Sequence, residues 1–515
     1  MRDLAARNRV VIVGAGVAGL TSALALSARG LDVTVVERAA APGGKIREVG
    51  IGPARIDSGP TVFTMRWVFE ELFAGAGLNF SDYVQLRPLS VLARHAWDDK
   101  VRLDLFADEA RSTEAIGAFA GAAEARRYQQ FCADSRKIYQ ILEKPFLRAT
   151  APSLPGLATA NGVSGLLELR KIRPFTTMWN ALGDYFKDPR LRQLFGRYAT
   201  YCGSSPFQAP ATLMLVAHVE QQGVWIIEGG MHALARALAD CATKLGATIR
   251  YEQEVREIMV SGGRAAGVIM ANGDRIEASS VIVNADVGAL PGGLFGEAVQ
   301  RAVPPIAPKL RSLSAITWSM VAKTEGFPLS RHSVFFSRDY PREFTDIFGR
   351  GEVPGEPTVY ICGQDRIDDT AMLGADGEEE LLVLVNAPPI GDRKRFDADE
   401  IARVTQRTFA VLERCGLRVE AKPDKTRITT PEDFNRLFPA TGGALYGRAS
   451  HGWSASFERP GARTKVPGLY LAGGSTHPGP GVPMAALSGR AASASLLADL
   501  DTEQRRLRPA STKAT

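Results

Sequence analysis

The sequence predicts an α/β fold in which a parallel, dinucleotide-binding sheet is assembled from separated parts of the chain. Three observations carry that expectation. The first 37 residues read strand, glycine turn, helix, strand, acid; a second glycine-rich turn opens a helix near the C-terminus; and two long stretches between them carry no nucleotide signature.

The first unit runs from an apolar strand at 10–13 through Gly14-Ala15-Gly16-Val17-Ala18-Gly19 and a helix to a second strand at 33–36, ending at Glu37. Gly14 permits the tight turn, and Gly16 lets the backbone close on a pyrophosphate. Ala18 and Gly19 keep the helix close to the strands. The helix N-terminus turns unpaired N–H groups and a partial positive charge toward the phosphates. Glu37 stands 18 residues after Gly19, where a carboxylate accepts both hydroxyls of an unphosphorylated ribose, which argues against NADP; Arg38 follows it. Residues 10–28 are uncharged and long enough to mimic a signal peptide or membrane helix. Three glycines within six residues, followed by a β-branched strand, fit neither.

Composition sets the outer bounds. At 515 residues, with 45% hydrophobic and 23% charged residues, the chain has the make-up of a globular protein of two or three domains. Five cysteines (132, 202, 241, 362 and 415) lack C-x-x-C or metal-like spacing, and six histidines form no H-E-x-x-H set. No metal is expected. The net charge of +6 comes without a basic stripe interleaved with aromatics, so no nucleic-acid partner is expected. With no recognisable export signal, the expected location is cytoplasmic.

Glycine-rich sequence then returns three times. Pro42-Gly43-Gly44-Lys45 follows the ribose-binding strand, with Asp57-Ser58-Gly59-Pro60-Thr61 soon after. The paired glycines suit close approach to the ligand, Lys45 or Arg47 is placed to meet phosphate, and Gly59, Pro60 and Thr61 extend the same surface. Gly229-Gly230-Met231 opens a helix at 232–245, followed by a strand at 248–251, a strand containing Val255, an Asn272-Gly273 hairpin and a buried strand at 281–285. The third return is a strand at 468–472 running into Gly473-Gly474-Ser475-Thr476-His477-Pro478-Gly479, then Val482-Pro483-Met484 and an Ala- and Ser-rich helix to about residue 500. Pro483 suits a first helical turn. Small residues there admit a bulky planar group. A second helix start aimed at the same ligand fits FAD, whose extended form needs support at both its pyrophosphate and its flavin end.

These pieces predict a discontinuous cofactor domain made of 1–90, 225–300 and 435–500. The stretches 91–224 and 301–434 form an inserted substrate domain, and 501–515 a flexible tail. The first insertion is helical in pattern at 114–142 and 182–198, with a Pro- and Ala-rich loop near 151–157. The second mixes strands at 358–362 and 381–385 with a helix at 399–415. Trp179, Tyr198, Tyr201, Phe207 and Trp225 are candidates to line an apolar tunnel.

The N-terminal unit, Gly43-Gly44, Asp57-Ser58-Gly59-Pro60, the Gly229–Leu234 run, Tyr446-Gly447 and the Gly473–Gly479 turn together resemble the bacterial carotenoid desaturases of the phytoene-desaturase type. The resemblance spans nearly the whole chain, and its motifs crowd toward the ends. It implies a Rossmann-like FAD-binding domain of the glutathione-reductase/amine-oxidase type. It also implies FAD as cofactor, a hydrophobic polyene as substrate, and removal of two hydrogens from adjacent carbons with hydride passing to the flavin. The Gly-Gly-Ser-Thr-His-Pro-Gly form is similar to that of enzymes forming the 3,4 double bond of carotenoids hydroxylated or methoxylated at C1, with a broader phytoene or neurosporene desaturase as the alternative. On this resemblance the pyrophosphate sits on Gly14, Gly16 and Gly19 and the ribose on Glu37. The flavin end lies against Gly473, Gly474 and Val482 to Met484. His477 is a candidate for proton removal, set against a role in bracing its turn. A membrane-borne substrate implies a peripheral enzyme, and 166–175 mixes apolar and basic residues suited to an interface. Two rivals are an FAD amine oxidase, which needs an aromatic cage and lacks the late turn, and a non-catalytic prenyl-binding escort, which need not keep a complete flavin site.

Overall fold

The structure is a computed structural model that describes residues 8–150, 152, 172–368, 370–374, 376–455 and 457–507. Its organising element is a five-stranded parallel sheet of β1 (Arg9–Val13), β2 (Asp32–Val36), β3 (Thr248–Arg250), β4 (Ser280–Val283) and β5 (Leu469–Leu471), in the spatial order β5-β4-β1-β2-β3. Strands far apart in sequence thus lie side by side, with Val13 opposite both Val36 and Val283. The apolar runs Val10–Val13 and Val33–Val36 are buried throughout because both faces of the sheet are covered. Alternate side chains go to opposite faces. Val10, Ile12, Val33 and Val35 pack with the helices, while Val11, Val13, Val36 and Val283 pack under an antiparallel meander of Val255–Ser261, Arg264–Met270 and Arg275–Glu277.

On the helical face, α1 (Val17–Ser27) lies between α2 (Met231–Lys244) and α3 (Val482–Leu507). The small residues of α3 are explained here. A Cβ at Gly489 would sit 2.3 Å from the Ala18 carbonyl oxygen, and Ser22 Oγ donates to the Gly489 carbonyl at 3.0 Å. The two helices therefore meet almost backbone to backbone.

A second, eight-stranded sheet draws on both intervening stretches. Val91–Ala96 and Arg102–Phe106 join His332–Phe335, Val359–Gly363, Glu379–Ala387, Ser314–Gly326, Leu417–Glu420 and Thr426–Thr429, with Val91–Ala96 parallel to His332–Phe335. Helices from Glu109 to Gln221 complete this part.

Three expectations change. The helical stretch at 114–142 is two helices, Glu109–Ala120 and Ala122–Leu142, because Gly121 takes φ +94 between them. The stretch at 182–198 is likewise divided. Asp188 accepts the Arg190 N–H at 2.8 Å and Pro189 starts the new helix Pro189–Gly196. The last helix does not stop near 500 but runs to Leu507. Asp499 takes the Tyr470 hydroxyl at 2.8 Å and Arg463 at 2.9 Å, and Glu503 pairs with Arg264 at 2.7 Å, so its outer turns are tied down. Residues 508–515, most of the loop at 151–157 and positions 166–171 of the apolar and basic stretch lie outside the described residues.

Candidate active site

A continuous cavity of about 890 Å³ opens along the carboxyl edge of the parallel sheet and extends beneath the second sheet and its helices. That edge is where ligands collect in open α/β sheets. The glycine turn sits at one end. Gly19 has no room for a side chain, since a Cβ would fall 2.1 Å from the Gly14 carbonyl oxygen. Its N–H donates to Asn284 Oδ1 at 2.9 Å, while Asn284 Nδ2 donates to the Ala472 carbonyl at 2.9 Å. Asn284 follows β4, between β1 and β5, so one amide ties the first glycine turn to the last strand. The same Oδ1 would lie 2.7 Å from a Cβ at Gly16.

Glu37 holds this turn from the other side. Its carboxylate accepts the N–H of Ala15 at 2.7 Å and of Ala39 at 2.8 Å. Two of its roughly four acceptor positions are used in this way. The group also lines the cavity, so it fixes the backbone while still facing a ligand. Gly43 and Gly44 lie directly on the first turn, where Gly43 N–H donates to the Ala15 carbonyl at 2.8 Å. A Cβ at Gly44 would be 3.2 Å from Gly16 Cα.

The cations expected at phosphate line the cavity and also bond to protein oxygens. Lys45 Nζ donates to the Leu445 carbonyl at 2.6 Å, and Arg47 Nη2 donates to Thr429 Oγ1 at 3.1 Å. Burial pushes the Lys45 ammonium below its ordinary range, against the pull of Asp286. Arg38 Nη2 reaches the Arg436 carbonyl at 3.3 Å. All three side chains secure the returning C-terminal segment. Gly59, just after the strand Ala54–Asp57, allows the chain to pass Lys45, since a Cβ there would sit 1.9 Å from the Lys45 carbonyl oxygen. Thr61 Oγ1 meets Tyr360 Oη at 2.6 Å, and both line the cavity.

The glycine pair at 229–230 has a different job from the other two. Asp57 accepts the N–H groups of Met231 at 2.6 Å and His232 at 3.2 Å, capping α2 from a distant part of the chain. A Cβ at Gly230 would lie 2.5 Å from Asp57 Oδ2. That helix N-terminus is filled by a carboxylate of the protein itself.

At the far end, Gly473, Gly474 and the start of α3 line the cavity opposite Asp286 and Arg459. Arg459 donates to the Tyr446 carbonyl at 3.1 Å and the Gly474 carbonyl at 3.3 Å, and burial brings its guanidinium down to about 10. Asp286 Oδ1 accepts the Gly288 N–H at 3.0 Å, whereas its buried Oδ2 has no partner among the described residues. The orphaned carboxylate oxygen and the glycine backbone that lines the cavity at Gly14, Gly16, Gly43 and Gly44 fit an extended FAD.

Of the residues singled out from the sequence as cofactor contacts, all but Gly19 line the cavity. His477, the catalytic candidate, does not. Its backbone N–H donates to the Pro460 carbonyl at 2.8 Å, its Nε2 meets the Phe146 carbonyl at 2.9 Å, and its ring stands edge-on to Phe146. Burial holds the imidazole near 4, so it is neutral at pH 7 and braces the turn against Phe146. Among the aromatics expected to line a tunnel, Tyr201 does so. Trp179 packs on Phe207, Trp225 on Phe63, and Tyr198 is buried against Glu220. The apolar lining comes instead from residues such as Leu142, Phe146, Leu213, Val216, Leu384 and Phe457. Asn284, Asp286, Arg459, Arg197 and Glu220 escaped the sequence reading. For the first two a signal existed, because Asn284-Ala285-Asp286 directly follows a strand of the parallel sheet.

Asn284→Ala leaves the Gly19 N–H and the Ala472 carbonyl without their partner, at a cost of about 1–3 kcal/mol for each buried group. Denaturant titration and FAD titration of the variant are expected to show a lower unfolding midpoint and weaker FAD binding; unchanged FAD affinity contradicts this role.

The profile of the family described as flavin containing amine oxidoreductase matches residues 17–497. The chain is 54% identical over 499 residues to a hydroxyneurosporene desaturase of Rubrivivax gelatinosus, covering 97% of this chain and 95% of that one. It is 43% identical to a hydroxyneurosporene desaturase of Cereibacter sphaeroides, over 96% of this chain and 99% of that one. Among solved structures, an oxidoreductase from Methanosarcina mazei superposes with a TM-score of 0.59 at 17% identity, covering 94% of this chain and 99% of the other, a likeness of fold. A profile match over residues 17–497 leaves one assignment: this chain belongs to the family of flavin-containing amine oxidoreductases.

Proposed function

We propose that this chain is an FAD-dependent carotenoid desaturase that introduces the 3,4 double bond into an acyclic, neurosporene-type carotenoid carrying a hydroxyl or methoxyl group at C1. The observation that carries the reading is the cavity itself, in which a glycine-lined end continues without a break into an apolar arm. Relatives at 54% and 43% identity, named hydroxyneurosporene desaturases, support the substrate class.

In this reading the cofactor domain comprises 1–90, 225–300 and 435–500, and the substrate domain 91–224 and 301–434. Gly14, Gly16 and the start of α1 hold the pyrophosphate, and Glu37 the ribose. Gly473, Gly474 and Val482 to Met484 support the flavin ring. When bound, FAD would supply the hydride acceptor for the dehydrogenation. The protein orients the polyene along the apolar walls and excludes water. His477 holds the turn at the flavin end through Phe146 and is not among the residues that line the cavity.

The substrate dissolves in membranes, and we infer that the enzyme docks there peripherally. No helix among the described residues is long and apolar enough to cross a membrane. Phe175 is 79% exposed and Trp453 is 45% exposed; their rings lie 5.4 Å apart, and Trp453, Ile172 and Pro174 line the cavity. An exposed aromatic pair where the apolar arm meets the surface suits insertion among lipid chains.

Two measurements test these proposals. Anaerobic incubation of the FAD-loaded protein with phytoene, neurosporene and 1-hydroxyneurosporene, followed by chromatography, is expected to convert the hydroxylated substrate; stepwise desaturation of phytoene contradicts the narrow reading. In vesicle flotation the wild-type protein is expected to rise with anionic liposomes and Phe175→Asp to rise less, whereas a wild-type protein that stays at the bottom rules out the docking.

A further inference from the structure

One feature of the apolar arm is out of place for a hydrocarbon. Arg197 and Tyr201, from the short helix Arg197–Cys202, and Glu220, from the helix Leu215–Gln221, all line it. Arg197 Nη1 donates to Tyr201 Oη at 2.9 Å, and Tyr201 Oη donates to Glu220 Oε1 at 3.4 Å. Tyr198 Oη donates to the other carboxyl oxygen. The guanidinium also lies 5.1 Å from the Tyr201 ring centre and 5.4 Å from that of Tyr360.

The Tyr201 bond uses one of five guanidinium N–H groups. Among the described residues Arg197 has no other hydrogen bond and no carboxylate at ion-pair distance. Burial disfavours the cation while the oxygens of Tyr201, Tyr360 and Tyr340 hold it charged, and its spare donors against an apolar wall remain unsatisfied. A ligand oxygen placed there satisfies them. Burial also raises the Glu220 carboxyl and holds the Tyr201 hydroxyl at about 12, which keeps protons available for hydrogen bonding.

The position along the cavity matters as much as the chemistry. The short helix ends at Gly203, where a Cβ would fall 2.5 Å from the Tyr446 ring, and the Tyr446 carbonyl shares Arg459 with Gly474. The polar trio therefore borders the end of the cavity assigned to the flavin.

We propose that Arg197, Tyr201 and Glu220 form a polar subsite that binds the C1 oxygen of the carotenoid and so sets which carbons face the flavin. This rests on the desaturase reading above. A polyene repeats along its length, and an apolar tunnel alone lets it slide by one repeat. The C1 oxygen is separated from C3 by only two carbons, so an oxygen held by Arg197 fixes C3 and C4 at one place. The trio is a specificity-determining group that positions the substrate.

The test compares FAD-loaded wild-type, Arg197→Met and Tyr201→Phe enzymes on 1-hydroxyneurosporene and neurosporene, with FAD affinity and the flavin spectrum measured alongside. Losing a hydrogen bond to a charged donor is expected to lower the hydroxylated-to-parent ratio of kcat/KM by roughly ten- to a hundredfold in Arg197→Met. The loss is expected mainly in KM, with FAD affinity retained. Tyr201→Phe keeps the ring and its packing, and is expected to move the ratio in the same direction by less, so it carries the test if Arg197→Met does not fold. An equal loss on both substrates overturns the subsite, as does weakened FAD binding in the variants. Wild-type enzyme that converts neither carotenoid overturns the desaturase reading and the subsite with it.

Discussion

Asn284 joins the two ends of the cofactor cradle through a single side-chain amide. Its oxygen takes the Gly19 N–H and its nitrogen donates to the Ala472 carbonyl, so the glycine turn after β1 and the glycine turn after β5 are held in one geometry. Both bonds are at 2.9 Å, and an amide accepts at its oxygen while donating from its nitrogen, so one side chain serves both partners. The remaining close approaches depend on it. Gly16 and Gly19 have no space for a Cβ beside Asn284 or the Gly14 carbonyl, and Gly44 lies on Gly16. The cradle is thus a stack of backbone on backbone, with Glu37 clamping one side and Asn284 the other.

That constraint also places the apolar arm. With the parallel sheet fixed, the second sheet and its helices meet the cavity edge at Tyr360, Leu384 and Tyr201, and the chain closes over it through Lys45, Arg47 and Arg38, which bind carbonyl or hydroxyl oxygens at 429–445. Cations that the sequence places near phosphate also work as fasteners. Asp57 is comparable: it fills the N-terminus of α2, an anion site that a nucleotide would otherwise suit.

The parallel sheet was legible in the sequence because its strands are short, doubly buried and made of Val and Ile, and because each glycine turn follows one of them. The discontinuous assembly was legible for the same reason. Helix ends were less so. Gly121 breaks a run whose apolar pattern continues across it, and the last helix extends to Leu507 because of long-range bonds from Asp499 to Arg463 and Tyr470 that no local pattern displays. In the site, residues that act through backbone geometry were readable from glycine spacing. Residues that act through side chains were harder to read: the partners of Asn284, Arg459 and Glu220 lie 13 to 265 positions away, while Arg197 meets Tyr201 four positions on in a stretch that carries no glycine motif. Local motif reading placed His477 beside the chemistry, whereas the fold turns it toward Phe146.

The central claim is that a carotenoid in the apolar arm gives up hydride to a flavin held by the cradle. Rapid anaerobic mixing of the FAD-loaded enzyme with 1-hydroxyneurosporene, followed by flavin absorbance and product, tests it most directly. The account predicts bleaching of the oxidised flavin in step with formation of the new double bond, one flavin reduced per double bond formed. Product that accumulates while the flavin stays oxidised would contradict it.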